Sequence, residues 1–411
     1  MNKEKKIIPE LRFPEFINKE TWAERKLSDV LFEHKEKSTG KEEVCSVSVH
    51  KGVINQVEYL GRTFAANNTE NYKRVLPGDV IYTKSPTGNF PFGIIKQSKV
   101  SEPVIVSPLY GVFKPETTEL GLILDAYFEF PERTIDYLSS IVQKGAKNTI
   151  NINNDTFLSK SLVLPVDKRE QEKIASFLSS LDKLIVSHDD KLVTLNKYKK
   201  GLIQNIFPKE NQRVPNYRFP EFNKDGEWEY LNGDKLFEPI SNKNHNSDLP
   251  ILAITQEYGA IPRELINYTV IASEQSIATY KIVEIGDFII SLRSFQGGIE
   301  YSNYKGICSP AYIILRKKIT LEDIFFKYYF KSDLYIRQLN KNLEGIRDGK
   351  MVSYQQFSEI KLPLPSIKEQ QKIASCLSAL DILIKAQSDK IQQLKEHKKG
   401  IVQGLLPKIN D

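Results

Sequence analysis

Cysteine, histidine, methionine and tryptophan are all scarce in this chain, and each shortage removes a class of chemistry. Three cysteines (Cys45, Cys308, Cys376) in 411 residues lie far apart with no CxxC spacing. Neither a disulfide framework nor a zinc site is indicated. Five histidines (His34, His50, His188, His245, His397) are scattered, so no Ser-His-Asp or metal constellation follows from spacing. The nearest approach to a phosphate-binding loop, STGKEE at Ser38 to Glu43, lacks the first glycine and the hydroxyl residue after lysine. A methyltransferase signature of the [DNS]-P-P-[YF] kind is missing too, as is a glycine-rich strand–turn–helix. No run approaches eighteen apolar residues, and the charged opening MNKEKKIIPE has no apolar core. These absences predict a soluble, cytoplasmic protein that binds no membrane, holds no metal and is not an enzyme by itself.

What is present is a repeat. Lys173 to Asp182 reads KIASFLSSLD and Lys372 to Asp381 reads KIASCLSALD, with eight identities in ten at an offset of 199. KKGLIQNIFPK (Lys199 to Lys209) returns at the same offset as KKGIVQGLLPK (Lys398 to Lys408). Within the first copy Ile174, Leu178, Leu181, Ile185, Leu192 and Leu195 alternate steps of four and three, with one skip at His188. Ile373, Leu377, Leu380, Ile384, Ile391 and Leu394 keep that register in the second, with the skip at Gln387. This is the a/d seam of a coiled coil. His188, Lys199, Gln387 and Lys398 are polar steps in it, of the kind that fix register and partner at some cost in stability. From Ile174 to Ile206 the helix would run roughly 50 Å at 1.5 Å per residue, stopped by Pro208 as its copy is by Pro407. Each copy is the obvious partner of the other, paired antiparallel.

The repeat reaches beyond the helices. RFPEF stands at Arg12 to Phe16 and at Arg218 to Phe222, each followed by a tryptophan, Trp22 and Trp228, and reads as a packing clasp. Between clasp and helix, short β-rich runs alternate with Gly, Pro and Asn clusters. Tyr72, Val75, Gly78 and Asp79 align with Tyr280, Val283, Gly286 and Asp287, and Ser107-Pro108 with Ser309-Pro310. The expected division is 1–165 for a first mixed α/β unit, 166–210 for a long helix, 211–365 for a second unit and 366–411 for a second helix. With antiparallel helices, the last residues arrive where the first clasp begins. The sequence thus predicts a closed ring of two equivalent halves about a pseudo-twofold axis.

The loops carry binding chemistry. After Gly78-Asp79 a strand delivers Thr83, Lys84 and Ser85 to a Pro/Gly turn ending in Asn89; after Gly286-Asp287 the counterpart delivers Arg293, Ser294 and Gln296 before two glycines. Arginine or lysine beside Asn, Gln or Ser on a turn can hydrogen-bond guanine and adenine edges in the major groove. A second pair of loops holds Lys144, Lys147 and Asn148 in one half and Arg347 and Lys350 in the other. Those cations suit phosphate contacts that set register. Taken singly these are ordinary solvated turns; their recurrence at matching places is what favours binding. A net charge of +6 permits a polyanionic partner without demanding one.

EQEKIASFLSSLDKLI, EQQKIASCLSALDILI and the two KKG[LI][IV]Q segments resemble the specificity subunit of Type I restriction-modification systems. The resemblance implies two target recognition domains of mixed α/β (α+β) type on a bipartite double-stranded DNA site. It also implies a helical spacer that docks two methylation subunits, with restriction subunits joining them. In that family the bacterial, cytoplasmic complex is an adenine-N6 methyltransferase and ATP-dependent endonuclease. Its S-adenosylmethionine, ATP and magnesium sit on the partner chains and none on this one. A free-standing DNA-binding regulator or anti-restriction decoy of the same fold is the alternative.

Overall fold

The computed structural model describes residues 9–19, 22–57, 69–144, 150–246, 248–266, 274–341 and 352–407. Two compact units divide the chain, Met1–Asp189 with Asp389–Asp411, and Asp190–Ser388. Each unit therefore holds the first half of one long helix and the second half of the other.

Both units use one strand plan. In the first, a four-stranded antiparallel sheet runs in the order Leu31–Glu33, Gly111–Pro115, Val80–Tyr82, Ile95–Gln97. In the second the order is Phe237–Ile240, Ile313–Lys317, Phe288–Ile290, Glu300–Tyr301. A separate ribbon pairs Trp22–Lys26 with Ser161–Pro165, and its counterpart pairs Glu229–Asn232 with Lys361–Leu364. The strands are short and rich in Val and Ile, and the central ones are buried on both faces. Val80, Ile81 and Tyr82 have no exposed surface, nor do Phe288 and Ile289.

Helices cover one side of each sheet. Thr117 caps Thr118–Phe128 by accepting from the Leu120 amide, and Ser353 with Gln356 forms a capping box ahead of Tyr354–Glu359. The two main cores differ in material. The first is largely aliphatic around Leu27, Ile123, Leu124 and Leu178. The second packs Phe237, Phe288, Phe325, Phe326, Phe330 and Tyr335 against one another edge to face or tilted.

The long helices span Lys168–Ile206 and Ile367–Leu405. Proline two residues on stops each, because its ring excludes a further helical turn. Every seam residue named above is buried or half-buried, while the outward positions are exposed. The first two seam positions of each helix belong to a unit's own core as well, Ile174 and Leu178 in one, Ile373 and Leu377 in the other. In the first unit Asp182 meets Lys398 at 2.5 Å, and seven residues later Asp189 meets Lys395 at 3.8 Å, so the two helical halves run antiparallel. Lys199 meets Asp381 in the second unit. The polar seam lysines Lys199 and Lys398 thus have defined partners across the helix pair.

The clasp and the head of each helix are wired together. The Arg12 guanidinium grips the Glu170 carboxylate with two bonds of 2.8 Å, and Arg218 grips Glu369 with bonds of 2.8 and 2.7 Å. Both carboxylates are buried. Next in the chain, Gln171 and Gln370 donate at 2.8 Å to the Pro165 and Pro365 carbonyls. The Glu-Gln pair that marks the repeat therefore fastens each helix to its own unit. One further backbone bond recurs, Tyr217 N–H to Asn205 O at 2.9 Å and Leu11 N–H to Gly404 O at 2.9 Å. The second of these ties the clasp near residue 11 to the end of the second helix, the junction the ring reading expected.

Candidate nucleic-acid interface

In both units the candidate base-reading turn closes the hairpin at the sheet edge. Val80–Tyr82 and Ile95–Gln97 flank the first turn; Phe288–Ile290 and Glu300–Tyr301 flank the second. A hairpin loop fixed at both ends on a buried sheet holds its side chains in place while leaving them reachable.

In the first turn Thr83 is buried and its hydroxyl accepts from the Ile94 amide at 3.0 Å, so it shapes the loop and does not face a ligand. Tyr82 donates to the Phe92 carbonyl at 2.8 Å, and Thr87 and Phe90 exchange two backbone bonds. Ser85 and Asn89 are left exposed on this frame. Lys84 is half-buried at φ 53°, the left-handed region that side chains seldom enter. Burial holds its ammonium below the ordinary lysine value, with repulsion from Lys73 acting the same way.

The second turn has another shape. Ser294–Gly297 forms one helical turn, and the buried Ser294 hydroxyl accepts from the Ser291 amide at 2.8 Å. Ser294, like Thr83, is therefore a framing residue. Arg293 and Gln296 are exposed, and the Arg293 guanidinium has no partner among the described residues. An unpaired planar cation beside an amide can engage a purine edge in two-pronged fashion. Lys147, Asn148, Arg347 and Lys350 lie outside the described residues. Lys144 lies in the two-residue strand Gln143–Lys144, its side chain outside the description.

The tight turn that leads into each hairpin, at the far end of the strand from the reading turn, is closed by one aspartate. Asp79 accepts from the Leu76 amide at 2.7 Å and from His34 at 2.8 Å. Asp287 accepts from the Glu284 amide at 2.8 Å and takes both prongs of Arg316 at 2.8 and 2.7 Å. Sequence reasoning found the Gly-Asp pairs but not their partners His34 and Arg316, which come from segments distant in the chain. The clasp arginines had a usable signal, since RFPEF and the Glu-Gln pair recur together.

Besides the turns, the second unit has a cavity of about 660 Å³ lined by Lys199, Lys200, Lys209, Arg337, Phe207 and neighbours. Exposed apolar side chains mark the outer faces of the long helices, Leu184, Val186, Val193, Tyr198, Ile382 and Leu383. Among the described residues no group of three or more His, Cys, Asp or Glu side chains is placed to hold a metal ion. No helix among them is long and apolar enough to cross a membrane.

Comparison with known proteins places this architecture. Residues 196–396 match the family described as the Type I restriction modification DNA specificity domain. Two curated relatives come from Methanocaldococcus jannaschii. The chain is 29% identical over 276 residues to a specificity subunit assigned to the type I restriction enzyme MjaX, covering 64% of this chain and 63% of that one. It is 26% identical over 288 residues to the type I restriction enzyme MjaVIII specificity subunit, covering 65% of this chain and 66% of that one. The chain thus spans just under two thirds of the length of each. Among solved structures, the S subunit of a Type I restriction-modification system from M. genitalium superposes over 98% of this chain and 100% of its own, with a TM-score of 0.53 and 14% identity. A chain from work on complex assembly and conformational transition of the type I R-M system superposes over 94% and 97%, with a TM-score of 0.54 and 16% identity. These two likenesses are of fold.

Proposed function

We propose that this chain, whose residues 196–396 match the Type I restriction modification DNA specificity domain, is the non-catalytic DNA-recognition subunit of such a system. Each unit reads one part of a bipartite double-stranded DNA target through its edge hairpin turn. The observation that carries this reading is the exposed Arg293 and Gln296 on a framed turn, matched in the first unit by exposed Ser85 and Asn89 beside Lys84. Lys144, Lys147, Asn148, Arg347 and Lys350 are assigned to the phosphates that set register.

The outward apolar residues on the long helices suit the docking of two methylation subunits, with restriction subunits joining the assembly. S-adenosylmethionine, ATP and magnesium would be held by those partners. Adenine-N6 methylation and ATP-dependent cleavage would be theirs as well. The exposed residues Leu184 and Ile382 are the side chains to change if that face is tested.

The experiment is to express the chain with a methylation subunit and map the modified adenines. The expected result is a split motif with an unread spacer. Arg293→Ala should relax one position of one half by about 1–3 kcal/mol of discrimination. Alanine at Lys144 should weaken all sequences alike and flatten the salt dependence. An unchanged motif in Arg293→Ala would remove that turn from the reading. DNA binding with no methylation partner would favour the free-standing regulator.

A further inference from the structure

We propose that Lys331 is a positioning residue for sequence reading by the second unit, holding the Arg293–Gly298 turn from behind without touching DNA. This rests on the reading of that turn as a base-contacting element. Lys331 follows the helix Asp323–Tyr329, distant in sequence from the turn. Its ammonium donates to the Gly297 carbonyl at 3.0 Å, to the Gln256 carbonyl at 3.5 Å and to Glu300 at 2.5 Å. An ammonium has three protons, so its donor capacity is filled.

The other contacts make this a clamp. Gln256 donates its amide to the Arg293 carbonyl at 3.4 Å, and Asn340 donates to the Phe295 carbonyl at 2.8 Å. Alternate carbonyls of the turn (293, 295, 297) are thus held from the protein side, which leaves the Arg293 and Gln296 side chains facing out. Gly298 completes the frame: φ is +80°, and a Cβ there would overlap the Phe330 carbonyl oxygen. Lys331 also ties the turn to the hairpin Leu252–Thr255/Gly259–Pro262 through Gln256. Removing it would free two carbonyls and leave Glu300, which is 1% exposed, without its cation.

A plain ion pair would account for part of this, and the first unit separates the parts. Lys96 pairs across the sheet with Ile81 as Glu300 does with Ile289, so the two occupy equivalent positions. Lys96 meets Asp125 of the covering helix at 3.1 Å. The fold therefore accepts the pair in either polarity. Only in the second unit does the helix-side partner carry protons that reach the turn's carbonyls.

The test uses the full chain with its methylation subunit, modified adenines being mapped on target DNA and on single-substitution variants of it. The half-site altered by Arg293→Ala marks the second unit. Lys331→Met should lower discrimination at that half by on the order of tenfold, leaving the other half unchanged. The double exchange Glu300→Lys with Lys331→Glu restores an ion pair in the first unit's polarity but cannot donate to Gly297. It should recover melting temperature relative to Lys331→Glu alone, while the half-site stays relaxed. Recovery of discrimination along with stability would overturn the proposal, as would an unaffected half-site in a folded Lys331→Met chain. If Arg293→Ala and Lys331→Met are both without effect, the reading of the turn falls and the proposal with it.

Discussion

The two units share every paired strand of the main sheet, yet their interiors are built from different chemistry. One places a lysine on the edge strand and an aspartate on the covering helix; the other reverses the signs, with Glu300 on the strand and Lys331 just past the end of the helix. One core is mainly aliphatic, the other a lattice of aromatic rings. What does not vary is the attachment to the long helices, where arginine, glutamate and glutamine repeat their bonds almost to the tenth of an ångström. The conclusion is that whole units can diverge freely provided that attachment stays fixed. Pieces of units are not interchangeable, since a hairpin from one half with the helix from the other would set Lys96 beside Lys331 or Glu300 beside Asp125.

The largest expected effect is at the attachment, and there a small asymmetry can be used. Glu170 accepts from Arg12 and also from the Trp22 indole at 2.9 Å. Trp228 is buried, and among the described residues its indole N–H has no partner and Arg218 alone neutralises Glu369. Removing one partner of a buried ion pair strands a charge and costs about 3–5 kcal/mol. Arg218→Ala should therefore fall in that range, and Arg12→Ala nearer ~2 kcal/mol, because one charge-assisted bond remains. With one tryptophan in each unit, fluorescence-monitored denaturation of Trp228→Phe or Trp22→Phe chains reports the units separately. Equal losses would mean that the indole bond contributes nothing, and that the two attachments are equivalent.

That asymmetry shows where the sequence was legible. The offset of 199 exposed the long helices and the seam, and the returning RFPEF exposed the clasp, because those elements repeat side chain for side chain. The strand plan was visible in outline from the Gly-Asp pairs and the turn clusters. The candidate site was only half legible. Thr83 and Ser294 looked like ligand contacts because they sit on the turns, yet a buried hydroxyl bonded to its own loop is a frame. Lys331, Asn340 and Arg316 gave no signal, since tertiary contacts far apart in the chain leave no period and no motif. His34 and Arg316 hold equivalent aspartates but are different residues at positions that do not align by eye.

A smaller contrast lies in the seam lysines. Lys398 is 6% exposed and bonds both Asp182 and Glu129 at 2.5 Å. Its two carboxylates raise its pKa despite burial, which is the largest influence and acts the other way. Lys199 is 26% exposed and pairs with Asp381, itself 36% exposed. Replacing Lys398 by methionine should cost the first unit about 2 kcal/mol through lost charge-assisted bonds. Lys199→Met should cost the second unit under ~1 kcal/mol, as exposed pairs do. High salt should narrow the Lys199 effect further and leave the Lys398 effect nearly intact. The reverse order in a salt series would show that burial does not rank these pairs.

The smallest effect separates the units by pH. The hydrogen bond to Asp79 raises the His34 pKa above its ordinary value, against the opposing pull of burial, with Glu36 favouring and Lys73 disfavouring the charged form. A histidine whose folded pKa is raised stabilises the fold fully below its unfolded value near 6.5, and that contribution is lost as pH rises through the folded value. The counterpart Asp287 is held by Arg316, whose charge does not change in this range. Carboxylates of ordinary pKa are ionised throughout a titration kept above about pH 5.5; burial raises Glu300 in the second unit, and its partner Lys331 opposes that shift. Denaturation midpoints of the first unit, followed through Trp22 in a Trp228→Phe chain, should therefore fall as pH rises through the His34 titration. The second unit, followed through Trp228 in a Trp22→Phe chain, should stay level. His34→Gln, which cannot take a charge, should sit at the high-pH midpoint of the first unit at every pH. A parallel drift of both units, or a first-unit slope that survives His34→Gln, would show that the difference between histidine and arginine at this aspartate has no thermodynamic consequence.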